Sequence, residues 1–479
     1  MSTPHLARLE AGATVGEPRD TSLRWALAGL SLSMLLSSLG TSIANVALPS
    51  LAQALGASFA QVQWIVLAYL LAITTLIVSV GRLGDVMGRR WLLRVGIGLY
   101  TGASVLCGVA STLWLLIAAR ALQGLGAATM MALTLAFVVE LVPKAKAGSA
   151  MGLLGTMSAV GTALGPALGG LLIAVFGWPA VFLAPVPLSL LAMLLVHRYL
   201  PADRSPAMPK LAGFDLTGTV LLAGTLAAYA LAMTTGRGHF GWLNVALLGA
   251  AAVGLGLFVR TELRAAAPLI RLVRLRDPGL RSGLALSALV STVLMAMQVV
   301  GPFYLAYALG LGATQVGLVL SVAPVIAALA GVPSGRLVDR LGSSRLTWIG
   351  LAGIAIGCVG LGAAPASLGA AGYVLASGLT TACYALFQAA NNTAVMNDVS
   401  ADQRGVVSGL LSLSRNLGLV TGAAVMGAVF AAATGVSDFN NAGAGAVATG
   451  MRVTFGVAAG LVAGTLLAVF GSRARAARK

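Results

Sequence analysis

Gly81-Arg82-Leu83-Gly84-Asp85-Val86-Met87-Gly88-Arg89-Arg90 stands between two apolar runs, each long enough to cross a bilayer. Its pattern returns 254 residues later as Gly335-Arg336-Leu337-Val338-Asp339-Arg340-Leu341-Gly342. Charges inside hydrocarbon are costly, and backbone outside a helix needs water or protein partners there, so both stretches belong at a membrane surface as tight hydrophilic hairpins. Gly81, Gly84 and Gly88 suit a sharp turn between closely approaching helices. One such loop is what any polytopic protein carries between spans. Two of them in the same order predict a chain of two halves built on one plan.

Working outward, 58% of the 479 residues are hydrophobic and 9% are charged, with a mean hydropathy of +0.94, which excludes a soluble globule. Windows of about 20 apolar residues predict spans near 25–48, 62–81, 92–110, 113–136, 149–175, 179–197, 213–234, 242–260, 281–308, 313–335, 345–363, 369–392, 405–431 and 449–470. That is an all-α polytopic membrane protein with fourteen crossings and both termini on one side. The net charge of +17 follows topology rather than nucleic-acid binding. With the termini in the cytoplasm, 26 of the 30 Lys and Arg residues fall in the tails and the even-numbered loops; Arg237 and Arg452 fall outside, and Arg120 and Arg415 inside spans. The residues before Trp25 read as a polar tail without a cleavage signal. Cys107, Cys358 and Cys383 all lie within spans, so neither a disulfide frame nor a metal site is expected, and no cofactor.

Polar residues within spans mark the positions to watch. Asn45, in the run from Leu39 to Pro49 where the first span is expected to stop, serves either as helix glue or as a cavity wall. Trp64 fits the aromatic belt, and Tyr69, deeper in, is a cavity candidate. Arg120 opens Arg120-Ala121-Leu122-Gln123-Gly124-Leu125-Gly126-Ala127-Ala128, about two turns inside the outer end of the fourth span. Unless it snorkels outward, it must face the bundle interior among acceptors. Gly161, Gly165 and Gly169 share one face of the fifth span, where another helix can approach, and Pro166 bends it. Gly409, Gly418 and Gly422 follow Gly152, Gly161 and Gly165 by 257 residues, so the thirteenth span copies the fifth. Arg415 is the second intramembrane arginine. Gln298, Tyr304, Tyr384, Gln388 and Asn391 add further polar groups toward the seam between halves.

Four of these stretches together resemble the Major Facilitator Superfamily, and within it the fourteen-span drug:proton antiporter branch. Gly81 to Arg90 matches its loop signature, Arg120 to Ala128 its fourth-span signature, and Leu39 to Pro49 resembles its first-span signature. Gly152, Gly161, Gly165, Pro166, Gly169 and Gly170 match G-x8-G-x3-G-P-x2-G-G at every fixed position. The resemblance implies two pseudo-symmetric six-helix bundles, 25–198 and 281–471, rocking about a central cavity. Two extra helices and a linker, 199–280, would lie at the periphery, with tails 1–24 and 472–479 in the cytoplasm of a cell-membrane protein. It further implies that Asp85 with Arg82, Arg89 and Arg90, and in the second half Gly335, Asp339 and Arg340, form a cytoplasmic latch. A carboxylate meeting the start of the thirteenth span near Gly405 would be favoured there by the helix dipole. By the same resemblance Arg120 takes part in proton coupling and the glycines around Pro166 form a pivot. Gly40 departs from the branch, which usually has an aspartate there, as do Pro179 and Pro185, where arginine and asparagine are usual.

The function expected is therefore proton-linked export of drug-like or other small organic molecules by alternating access, the chain acting as a monomer in the lipid bilayer. An importer or facilitator of a metabolite is the alternative. An enzyme or sensor lacks residues: His5, His197 and His239 lie outside span centres, and no phosphate loop or carboxylate cluster is present. No Asp or Glu lies well inside a span, Glu140 being at the inner end of the fourth. With Arg120 and Arg415 as deep charges, and Asn45, Gln123, Gln298, Gln388 and Asn391 as neutral partners, the cavity is expected to disfavour cations. A monovalent ion 4 Å from an arginine feels about 4 kcal/mol at an effective dielectric near 20.

Overall fold

The computed structural model describes residues 20–203, 215–235, 241–264, 277–363, 365–397, 399, 404–435 and 443–476. All regular structure among them is helical, and fourteen segments are long and apolar enough to cross a membrane, in the order expected. They are α1 (Asp20–Ala54), α2 (Phe59–Met87), α3 (Arg89–Gly108), α4 (Leu113–Leu141), α5 (Lys144–Phe176), α6 (Pro179–Leu183 continued by Pro185–Tyr199) and α7 (Leu216–Thr234). There follow α8 (Trp242–Arg264), α9 (Pro278–Phe303), α10 (Ala313–Leu341), α11 (Ser343–Ala363), α12 (Pro365–Met396), α13 (Arg404–Thr421) and α14 (Ala444–Ala476). A π-helical turn, Tyr304–Ala308, extends α9, and another, Gly422–Met426, leads α13 into Gly427–Thr434. Fourteen crossings return the chain to the face from which α1 starts, here called the terminal face.

Two expectations about helix ends are corrected. Gly81 to Met87 is not a hairpin but the last turns of α2, and Gly88 alone, at φ 94°, reverses the chain before Arg89 opens α3. Gly342, at φ 83°, does the same between α10 and α11. Helix satisfies its own backbone at the membrane edge, so the turn shrinks to the one residue that takes a positive φ without strain. Nor does α1 stop at Pro49; it runs on to Ala54. Losing one backbone hydrogen bond to a proline costs less than exposing a whole turn at that depth.

The repeat is visible in the packing. Gly161 and Gly165 of α5 press on α1 so closely that a Cβ at either would collide with Leu35 O or Ser42 Oγ. Ser42 Oγ donates to Gly161 O at 3.3 Å. In the second half Gly418 and Gly422 of α13 press in the same way on Ala288 O and Thr292 O of α9, and Thr292 Oγ1 donates to Gly418 O at 3.1 Å. Six-helix bundles α1–α6 and α9–α14 thus share one helix crossing, which small residues and a hydroxyl bond make possible without water. The extra helices differ from each other. α8 is largely exposed, as expected of a peripheral helix, whereas α7 lies over the seam between α2 and α13. Trp64 Nε1 donates to Thr234 Oγ1 at 3.1 Å and Ser79 shares a 3.0 Å bond with Thr219, both joining α2 to α7. Toward α13 there is a 3.3 Å bond from Tyr229 to Thr421, and an apolar cluster of Leu222, Leu226 and Phe258 with Val407, Leu410 and Leu411.

Candidate functional site

Between the bundles lies a cavity of about 670 Å3, the size of a drug-like ligand site. It is closed at the face opposite the termini. There Asn45 Nδ2 donates to Gln298 Oε1 at 2.8 Å across the two halves, and Gln63 Nε2 donates to Ala423 O at 3.0 Å. Gly170 of α5 meets Gly317 of α10 so tightly that a Cβ on Gly170 would lie 2.5 Å from Ala313 O. Phe59 stacks edge-on to Phe303 at 4.7 Å and lies 5.1 Å from Phe430, sealing the closure with aromatic surface. Toward the terminal face Met34, Gly155, Gly331 and Asn392 line the cavity, and Cβ atoms at Gly152 or Gly335 would meet nothing within 4 Å.

Of the expected cavity residues, Asn45, Gln298, Tyr384, Gln388 and Arg415 line it, as does Pro166. Tyr69, Gln123, Tyr304 and Asn391, expected to line it, do not, and neither does Arg120, which faces the interior of its own bundle among acceptors. Arg120 is wholly buried inside the first bundle. Its Nε donates to Ile65 O and Nη2 to Gly40 O, each at 3.0 Å, Nη1 donates to Gln123 Oε1, and Cζ sits 4.1 Å over the Tyr69 ring. Gln123 in turn donates to Ser104 Oγ at 2.7 Å. Tyr69 and Tyr100 donate to Ser37 O and Leu36 O, at 2.8 and 2.9 Å. Donors from three helices thus converge on the α1 backbone around Gly40, where a Cβ would stand 2.9 Å from both tyrosine hydroxyls. Asn391 donates to Gly283 O at 3.1 Å, a tie between α12 and α9. Polar cavity residues that sequence reading missed include Ser38, Ser158, Thr162, Thr381 and Asn416. The repeat held a signal for one of them: the 257-residue offset pairs Arg415 with Ser158.

At the terminal face Arg89 Nη1 and Glu140 Oε2 form an ion pair at 3.1 Å. Asp203, singled out by no motif, accepts from the backbone N–H groups of Arg90 and Trp91 at 2.9 Å each, capping α3, while Arg90 Nη2 donates to His197 O. Asp339 and Arg340 are exposed. The side chains of Arg82 and Asp85, and the start of α13 at Arg404 and Gly405, lie outside the described ones, so the expected latch falls there. Among the described residues no group of His, Cys, Asp and Glu is placed to hold a metal.

Residues 30–423 match the family model described as Major Facilitator Superfamily. The chain belongs to that superfamily. It is a multi-pass membrane transporter and not an enzyme. It is 31% identical over 374 residues to the multidrug resistance protein Stp of Mycobacterium tuberculosis, covering 77% of this chain and 69% of Stp. It is 27% identical over 369 residues to the riboflavin transporter RibZ of Clostridioides difficile, covering 77% of this chain and 80% of RibZ. The fold is shared with a bacterial homologue of the human lysosomal transporter Spinster, solved in an inward-facing, unoccupied conformation, at a TM-score of 0.66 and 16% identity, over 94% of this chain and 96% of that one.

Proposed function

We propose that this transporter exports small organic molecules from the cytoplasm in exchange for protons. The observation that carries the reading is the double use of the α5 signature. Gly161, Gly165 and Gly169 seat α5 on α1 within its own bundle, while Pro166 and Gly170 meet Gly317 of the other bundle at the closed face. A helix that is both a fixed wall and the moving contact is what an alternating-access pivot requires. The multidrug resistance relative supports export, and the crowding of Lys and Arg toward the terminal face supports placing that face, with both termini, in the cytoplasm. The cavity would then be loaded from the cytoplasm. Its described lining holds no carboxylate and no histidine, so the exchanged proton is carried elsewhere, by the terminal-face carboxylates or by an acidic substrate itself.

Accumulation profiles of cells with and without the protein identify a substrate, and energised everted vesicles test direction. Those vesicles should concentrate the compound, and a protonophore should abolish the effect. Uptake that rises in intact cells instead would favour the importer reading, to which the riboflavin transporter relative lends its weight. In the same assay Gly170→Leu should remove transport at matched abundance, because the closed face cannot form past Ala313 O and Gly317. Gly152→Leu, which meets open space, should retain it.

A further inference from the structure

We infer that Arg415 is the binding residue for an anionic head group, and that the substrates are organic anions with an apolar body. The inference rests on the transport reading and names its substrate class. Arg415 is the only formally charged side chain among the described residues of the cavity wall. It is half-buried, and no acceptor among the described residues bonds its guanidinium. With no carboxylate among the described residues of the wall, its donors are left to face the cavity, where a planar carboxylate or sulfonate meets them with two parallel bonds. Asn416 on the same helix and Tyr384 and Gln388 across from it offer neutral hydrogen bonds to the same head group. Tyr384 lies within electrostatic reach of the guanidinium. Besides hydroxyl and amide side chains, the wall carries methionine, leucine, alanine and proline, which accept an apolar body of variable shape.

The charge is not a general requirement of the fold, since Arg120 satisfies its donors internally and turns none toward the cavity. Nor does the repeat demand it: at the position equivalent to Arg415, Ser158 shares a 2.6 Å bond with Ser38. One half of the cavity is neutral, and the other carries a cation that bonds no acceptor among the described residues.

The test uses the full chain in lipid nanodiscs and three probes of one shape: 2-naphthoate, 2-naphthamide and N,N,N-trimethyl-2-naphthylammonium. Calorimetry should show naphthoate bound roughly tenfold or more tighter than the amide, with the cation weakest. Arg415→Gln should bring naphthoate down to the level of the amide, leave the amide within about twofold, and Arg415→Lys should recover part of the difference. Equal binding of cation and anion by the wild type, binding of none of the three, or naphthoate affinity unchanged in Arg415→Gln would each overturn the inference. Should Arg415→Gln not fold, the wild-type ranking decides alone. Binding is read without transport, so a failure of export in vesicles with the ranking intact would sink the direction of transport and not the anion site.

Discussion

Arg120 and Arg415 look alike in the sequence, each a lone cation within an apolar helix, yet the structure uses them in opposite ways. Arg120 is enclosed on all sides, its donors spent on Ile65 O, Gly40 O and Gln123 and its plane laid over Tyr69. Arg415 faces a void with its donors open. A buried charge is tolerable when neutral dipoles converge on it, and such a charge is architecture. One that faces a cavity, with no acceptor bonded among the described residues, keeps its donors for water or a solute.

The contrast breaks first, and most strongly, at the enclosed site. Arg120→Ala would leave a void in a fully buried position and strip Gln123 Oε1 of its donor, a loss of about 3–5 kcal/mol. Thermal denaturation in detergent should show a fall of many degrees, and Arg120→Lys should recover only part of it, since an ammonium cannot reach three divergent acceptors and stack on Tyr69 as well. A midpoint near that of the wild type would mean that the guanidinium does not tie α1, α2 and α4 together.

The second test moves a carboxylate between the two environments. At position 40, where the branch usually has an aspartate, a side chain points at Tyr69 and Tyr100 and not into the cavity. Binding of N,N,N-trimethyl-2-naphthylammonium should stay weak in Gly40→Asp. Ser158→Asp, at the cavity position equivalent to Arg415, should raise it and lower naphthoate binding by roughly tenfold. Cation binding gained in Gly40→Asp and not in Ser158→Asp would invert the assignment of the two sites.

The smallest effect is reserved for stability at the open site. Arg415→Ala removes no bond made within the described structure, so the denaturation midpoint should move by no more than about 1 kcal/mol equivalent. A loss as large as that from Arg120→Ala would show that Arg415 is a packing residue after all.

The fold was legible because its signals are collective. Span number, the 254-residue repeat and the glycine spacing of α5 each rest on many residues and on the bilayer's demand that backbone bonds close within helices. The cavity was legible only in part, because a polar residue inside a span has two physical outlets and sequence does not tell them apart. Asn45 and Gln298 took the cavity and bonded each other across it, while Gln123 and Asn391 took neighbouring helices. Which outlet wins depends on helix rotation, and one residue of rotation turns Asn391 to the backbone of α9 and Asn392 to the cavity. Asp203 could not be found at all from spacing, since its partners are backbone N–H groups of a helix more than a hundred residues earlier.

The seat of α7 has a mechanical consequence. Its ties to α2 are two directional bonds, from Trp64 and with Ser79, whereas toward α13 it presents mostly greasy surface and one long hydroxyl contact at Tyr229. Directional bonds hold register and apolar surfaces slip over one another at nearly constant burial. As the halves tilt, α7 should ride with the first bundle while α13 glides along it, at the cost of a single weak bond worth about 1 kcal/mol. The added helix is then a bearing along one flank, guiding the stroke and keeping lipid tails out of the gap that would otherwise open beside α2.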